Sequence, residues 1–140
     1  MRIIGIDFGD ARVGLASSDE TELLATSLCT VNVTGVNDAV RKCAEKIKEE
    51  NGEFLVCGLP LNMNGSESFR AEKTRVFAEK LKEATGLELA FVDERLSTVE
   101  AYTYMNITDM KSGKRRGVID AMSAQIILQS YLDRKKNGNV

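Results

Sequence analysis

The chain has 140 residues, 43% of them hydrophobic and 29% charged, with a formal net charge of −2. That length suits one domain, residues 1–140, with a real core and leaves no room for a second large one. The balance is that of a globular protein and not a disordered or fibrous one. Histidine is absent, so imidazole acid–base catalysis and His-ligated metals are excluded, and any chemistry must use carboxylates, Lys, Arg, Ser, Tyr or a carboxylate-bound cation. The near-neutral charge carries no global signature for nucleic acid, so such a partner would have to be attracted by a local patch.

Cys29, Cys43 and Cys57 are odd in number and widely spaced, and two of them sit in apolar patterns. This argues against a disulfide scaffold or a thiolate zinc site. No run approaches the roughly 18 apolar residues of a membrane span, and "MRIIGIDFGD" reaches Asp7 too soon for a signal peptide. A cytoplasmic protein with no membrane partner is expected.

In chain order, Arg2 to Phe8 is strand-like through Ile3, Ile4 and Ile6, and Gly9-Asp10 signals a tight turn. "RVGLAS" (Arg12 to Ser17) reads as the return arm of a hairpin, and Ser27 to Val33, after a turn at "DETE", as a third strand, giving an antiparallel meander. The period then changes. Val36, Val40, Cys43 or Ala44, and Ile47 recur at three and four, predicting an amphipathic helix to about Glu50. Phe54 to Gly58 is a short apolar run of the kind buried on both faces of a sheet.

"LPLNMNGSES" follows as a loop with an Asn64-Gly65 turn. A second helix is expected from Phe69 to Ala84, with Phe69, Val76, Phe77, Leu81 and Ala84 as its buried stripe and Gly86 as its cap. "LELAFVD" gives another strand. Ser97 and Glu100 have the spacing of a capping box for a short helix over "TVEAYTYM". A basic joint, "TDMKSGKRRG", leads into a last helix from about Val118 to Arg134. The order β-β-β-α-β-α-β-α-α implies an α/β fold with one mixed sheet and helices packed on it.

Three acids stand out. Asp7 ends the first strand between Gly5 and Gly9, at the sheet end where open α/β folds place their sites, although it could equally serve the hairpin turn. Asp93, Glu94 and Arg95 end the last strand, where alternation lets only one of the two acids face a given site. Asp120 shares a helical stripe with Ala124, Ile127 or Leu128, and Tyr131, so it lies on or beside a buried face. An unpaired carboxylate there costs several kcal/mol, so it must be neutral, paired or holding a cation. The alternative is an acid in the first helical turn, favoured by the dipole by about 0.3–1 kcal/mol. Three carboxylates from two strand ends and one helix can converge on a divalent ion, and oxygen-only ligation suits Mg²⁺ or Mn²⁺. Such ions serve phosphodiester hydrolysis.

Lys111, Lys114, Arg115 and Arg116 form the local basic patch, suited to phosphate-backbone contact. Arg12 and Arg95 are further phosphate candidates. Asn62, Asn64 and Gly65 form either a turn or a substrate-facing loop, for "GLPLNMNG" lacks the Lys-Ser or Lys-Thr of a P-loop.

Together, Asp7 in "GIDFG", Gly58 to Gly65 in "GLPLNMNG", "DERLS" and Asp120 in "IDAMSAQIILQSYL" closely resemble the YqgF (RuvX) family of Holliday-junction-resolvase-like nucleases, over about residues 2 to 133. The resemblance implies a ribonuclease H-like fold, here a mixed five-stranded sheet flanked by helices. It implies a metal-dependent nuclease that processes the 5′ end of pre-16S ribosomal RNA, or else a resolvase of branched DNA. It assigns Asp7, Glu94 and Asp120 as catalytic and metal-binding acids, with Mg²⁺ or Mn²⁺ as cofactor. It places Asn62, Asn64 and Arg95 on the substrate side, beside Arg12, Lys114, Arg115 and Arg116. The implied partners are pre-rRNA or branched DNA and a ribosomal particle, with a monomer or homodimer as the assembly. Two competing readings are a non-catalytic nucleic-acid-binding module and an ATP-binding domain, because "GIDFG" with "RVGLA" also resembles the phosphate hairpin of the sugar kinase, actin and Hsp70 superfamily. Those proteins enclose ATP between two such domains, and this chain has the length of one.

Overall fold

The computed structural model describes residues 1–93 and 112–138, the side chains of 112–118 excepted. β1 (Ile3–Phe8), β2 (Arg12–Ser18) and β3 (Ala25–Asn32) are followed by α1 (Val36–Glu49), β4 (Phe54–Leu59), α2 (Phe69–Thr85), β5 (Leu89–Asp93) and α3 (Ser112–Lys136). The strands make one five-stranded mixed sheet in the order β3-β2-β1-β4-β5. β1, β2 and β3 pair antiparallel as the expected meander, while β1 with β4 and β4 with β5 are parallel. The hand of each pairing follows from its connection. A tight turn closed by Gly9 N–H donating to the Arg12 carbonyl (2.9 Å) reverses β1 into β2, whereas parallel neighbours need a crossover, which α2 supplies between β4 and β5.

The two faces of the sheet are covered by different helices. Ile4, Ile6 and Phe8 of β1, with Leu55 and Cys57 of β4, pack on Ala39, Cys43 and Ile47 of α1 and on Phe77 and Leu81 of α2. The alternate residues Ile3 and Val56 pack with Val92, Ala124, Ile127, Leu128 and Leu132, so α3 covers the opposite face. That is strand alternation with both faces buried, and it accounts for the continuous apolar runs in β1 and β4. Two glutamines pin α3 to the edge strand: Ala25 N–H donates to Gln129 Oε1 (2.8 Å), and Gln125 Nε2 donates to the Ala25 carbonyl (3.1 Å).

Two expectations are corrected. In α2 the buried line is Ala71, Thr74, Phe77, Ala78 and Leu81, while Phe69 is 73% and Val76 51% exposed. Phe77 and Leu81 are buried as expected, whereas Phe69, Val76 and the exposed Ala84 fall off the line, which Ala71, Thr74 and Ala78 complete; these small side chains carry little apolar signal in the sequence. The last helix begins at Ser112 and not near Val118, so the "SGKRRG" segment is helical backbone and not a joint. Lys and Arg are good helix formers, and apolar periodicity registers only the part of a helix that is buried. Asp120 therefore lies eight residues into α3, well past the first turn, which removes the dipole reading. The short helix expected over "TVEAYTYM" lies outside the described residues.

The cap expected at Gly86 is present, and Ser68 adds one at the other end of α2. Ser68 accepts from the Ala71 N–H at the start of α2, and Gly86 ends it in the left-handed conformation, φ 71°. No helix among the described residues is long and apolar enough to cross a membrane.

Candidate active site

Asp7 is the penultimate residue of β1 and lies directly across from Gly14 in β2. It shares its side of the strand with Ile3 and Gly5 and so projects to the face covered by α3. That face is unusually tight. A Cβ placed on Gly5 would meet Leu128 Cβ at 2.7 Å and the Ala124 carbonyl at 2.8 Å, and one on Gly14 would be driven into the Asp120 carbonyl. Any side chain at these positions would lift α3 off the sheet. Gly14 thus lets the turn of α3 that bears Asp120 settle beside the strand position opposite Asp7, and two acids 113 residues apart come to one place.

Arg12 fixes the second acid. It precedes Gly14 by two residues, projects to the same face, and its Nε donates to Asp120 Oδ2 at 2.6 Å. The pair is partly open, with side chains 36% and 22% exposed. A charge-assisted contact of this kind orients a carboxylate as well as neutralising it. Arg12, expected to contact phosphate, is therefore committed to Asp120 in this structure.

Asp7, Phe8, Gly9, Asp10, Ala11, Arg12, Arg70 and Asp120 line one cleft of about 170 Å³ at the end of β1. Arg70 was not foreseen from the sequence. Its place follows from Phe77, seven residues on and so on the same side of α2, whose ring stacks on Phe8 with centroids 4.4 Å apart. An aromatic pair of this sort contributes about 0.5–1.5 kcal/mol beyond area burial, and here it turns the first part of α2 towards the end of β1. Lys73, one turn after Arg70, donates to Asp10 Oδ1 at 2.9 Å. The hydrogen bond and charge of Lys73 hold the Asp10 carboxyl below the usual carboxylate range, with Arg70 contributing. The spacing Arg70, Lys73, Phe77 was a legible signal only once Phe77 was known to meet the strand end.

Of the other candidates, Asn62 and Asn64 serve their own turn. Asn62 Nδ2 donates to Ser66 Oγ (3.0 Å), Ser66 Oγ donates to Asn64 Oδ1 (2.6 Å), and Leu61 and Glu67 form a small antiparallel bridge beneath. Asp93 alternates with Val92 and so falls on the side of the sheet that α1 and α2 cover. It is thereby separated from the face of Asp7 and Asp120. Glu94, Arg95 and Lys111 lie outside the described residues, and Lys114, Arg115 and Arg116 are described as backbone of α3 only. Among the described residues no three His, Cys, Asp or Glu side chains cluster as a metal site, and Glu94, the expected third acid, is not among them. Cys43 and Cys57 are buried and Cys29 half-buried, all as free thiols.

The model of the RuvX family, described as Holliday junction resolvase, matches residues 1–134. A protein of Caldanaerobacter subterraneus subsp. tengcongensis named "Putative pre-16S rRNA nuclease" is 42% identical over 138 residues, covering 98% of this chain and 99% of the relative. One of the same name from Crocosphaera subtropica is 37% identical over 133 residues, covering 95% and 93%. Among solved structures, Thermus thermophilus RuvC in complex with a Holliday junction superposes with a TM-score of 0.62 at 16% identity, covering 99% of this chain and 97% of that one. The fowlpox virus resolvase with its Holliday junction gives 0.60 at 11% identity, covering 96% and 99%. At those identities the likeness is one of fold, and the fold is the ribonuclease H-like one of RuvC. With the family model matching nearly its whole length, the chain belongs to the RuvX family.

Proposed function

We propose that the chain, acting as a single cytoplasmic domain, is a metal-dependent nuclease that hydrolyses phosphodiester bonds at the 5′ end of pre-16S ribosomal RNA. The observation that carries this reading is the convergence of Asp7 and Asp120 on one cleft, with Arg12 holding Asp120 at 2.6 Å. Sequence relatives over nearly the whole chain are named for nuclease action on pre-16S rRNA.

The residues fit a hard divalent cation, Mg²⁺ or Mn²⁺, because the cleft offers carboxylate oxygens and the sequence has no histidine. Asp7 and Asp120 would hold it, with Glu94 as the third ligand. Held there, such an ion would supply Lewis-acid polarisation of a phosphoryl oxygen and activation of water at neutral pH. Arg12 keeps the Asp120 carboxylate oriented while the cleft is open to solvent. Arg95, Lys114, Arg115 and Arg116 would contact the phosphate backbone, which carries affinity and register but no sequence information. Asn62 and Asn64, tied into their turn, would act by shaping the loop that borders the substrate.

The test is cleavage of structured pre-rRNA and of a four-way DNA junction, each with Mg²⁺ and with Mn²⁺. Asp7→Ala, Asp120→Ala and Asp120→Asn are expected to abolish cleavage with nucleic-acid binding largely retained. Failure of the intact protein to cut either substrate, or cleavage that survives the substitutions, overturns the proposal. Cleavage of the junction alone moves the assignment to branched DNA.

A further inference from the structure

Phe69 is a large aromatic side chain 73% exposed on a helix whose other bulky ring, Phe77, is fully buried. It lies next to Arg70, which lines the cleft with Asp7 and Asp120, and the Lys73 ammonium sits 5.8 Å from the centroid of its ring. Lys73 reaches back to Asp10 in the cleft wall at 2.9 Å, so ring, ammonium and guanidinium form one continuous strip leading out of the cleft. Arg70 differs from its neighbours. Arg12 is taken up by Asp120, Arg41 by Asp38 and Arg75 by Glu67, whereas among the described residues no carboxylate lies within salt-bridge distance of the Arg70 guanidinium.

Resting on the nuclease reading, we propose that Phe69 and Arg70 receive an unpaired nucleotide next to the bond to be cut: the ring stacks on its base and the guanidinium takes the adjoining phosphate. An exposed aromatic face accepts any base, which gives affinity without sequence preference, while arginine neutralises the backbone beside it. Bases inside a duplex are already stacked on one another and cannot reach such a ring. The strip therefore selects single-stranded segments over continuous duplex, and the substrate class is a strand that is unpaired on one side of the scissile phosphate.

The experiment uses the full chain carrying Asp7→Asn, to silence cleavage, and measures binding by fluorescence anisotropy at several salt concentrations. The probes are a labelled single-stranded oligonucleotide and a blunt duplex of that strand with its complement. Phe69→Ala and Phe69→Leu are expected to weaken single-strand binding roughly tenfold, as for loss of one stacked base, while duplex binding changes less than about twofold. Phe69→Tyr should restore it. Arg70→Gln is expected to lower the slope of log affinity against log salt on the single strand by about 0.7, one phosphate contact. Thermal unfolding accompanies each variant, and Phe69→Leu, which keeps an apolar side chain at an exposed position, guards against loss of fold.

Equal weakening on both probes, no weakening on either, or no single-strand binding by the parent protein overturns the inference. The nuclease reading fails separately: an intact protein that cleaves nothing defeats it even if Phe69 discriminates single strand from duplex. A protein that cleaves but binds alike with and without the ring defeats only the inference.

Discussion

The guanidinium of Arg12 and the carboxylate of Asp120 meet at 2.6 Å across the end of the sheet, 108 positions apart in sequence. Two unit charges 4 Å apart interact by about 1 kcal/mol in a water-like dielectric, so a cation approaching Asp120 is opposed by Arg12 to about that extent. Arg12→Gln is expected to tighten Mn²⁺ binding roughly fivefold, measured by titration calorimetry, and to lower stability to denaturant by about 1 kcal/mol, as for a half-exposed ion pair. Unchanged or weaker Mn²⁺ binding would show that Arg12 does not compete for that carboxylate.

Gly14 controls whether Asp120 reaches the site at all. Gly14→Ala forces a methyl group against the Asp120 carbonyl, a backbone atom that cannot rotate aside. Overpacking of this kind costs about 1–3 kcal/mol, and the upper part of that range is expected in urea unfolding. Cleavage should fall further than stability does, because α3 carries Asp120 away from Asp7. A Gly14→Ala protein with wild-type stability would contradict the close approach.

Asp10 pairs with the ammonium of Lys73. Its carboxylate holds Lys73 at 2.9 Å on the cleft wall, so Asp10→Asn frees one ammonium and removes one negative charge from the lining of the cleft. Nucleic-acid affinity is expected to rise at low salt and the salt slope to steepen by about 0.7–0.9, the change for one added phosphate contact. Filter binding at several salt concentrations decides it, and an unaltered slope would mean that Lys73 faces no backbone.

Asp38 provides a pH-dependent clasp at the start of α1. It accepts from the Thr34 N–H at 3.0 Å, with Lys42 and Arg41 beside it, and these contacts, the backbone hydrogen bond foremost, bring its carboxyl down to about 2. Because the folded-state value lies below the ordinary one near 3.8, the stabilisation is complete above about pH 4 and is lost as pH falls towards 2. The stability difference between the wild type and Asp38→Asn should therefore be flat at neutral pH and vanish across that acid window. A difference that persists below pH 2 would place its origin elsewhere.

Much of the framework was legible because it is local. β1, β2, β4 and α1 fall within two residues of their expected bounds, since each is a run whose period or β-branched content does not depend on what packs against it. Asp7 could be placed at a strand end for the same reason. The start of α3 was hidden, because its first turns carry no apolar period to read. The buried line of α2 was legible only at Phe77 and Leu81, because Ala71, Thr74 and Ala78, which complete it, are too small to stand out in an apolar pattern.

By itself the sequence determined the kinds and order of the described elements and the absence of imidazole, for these are properties of residues and their near neighbours. The tertiary structure decided which residues share a cleft. Gly14 faces Asp120, Arg12 pairs with it, Arg70 is brought in by the stacking of Phe77 on Phe8, and Phe69 is left outside. Each of these depends on how closely a helix can approach a particular face of the sheet, and that is set by the absence of a side chain or the fit of two rings across elements that no local pattern connects.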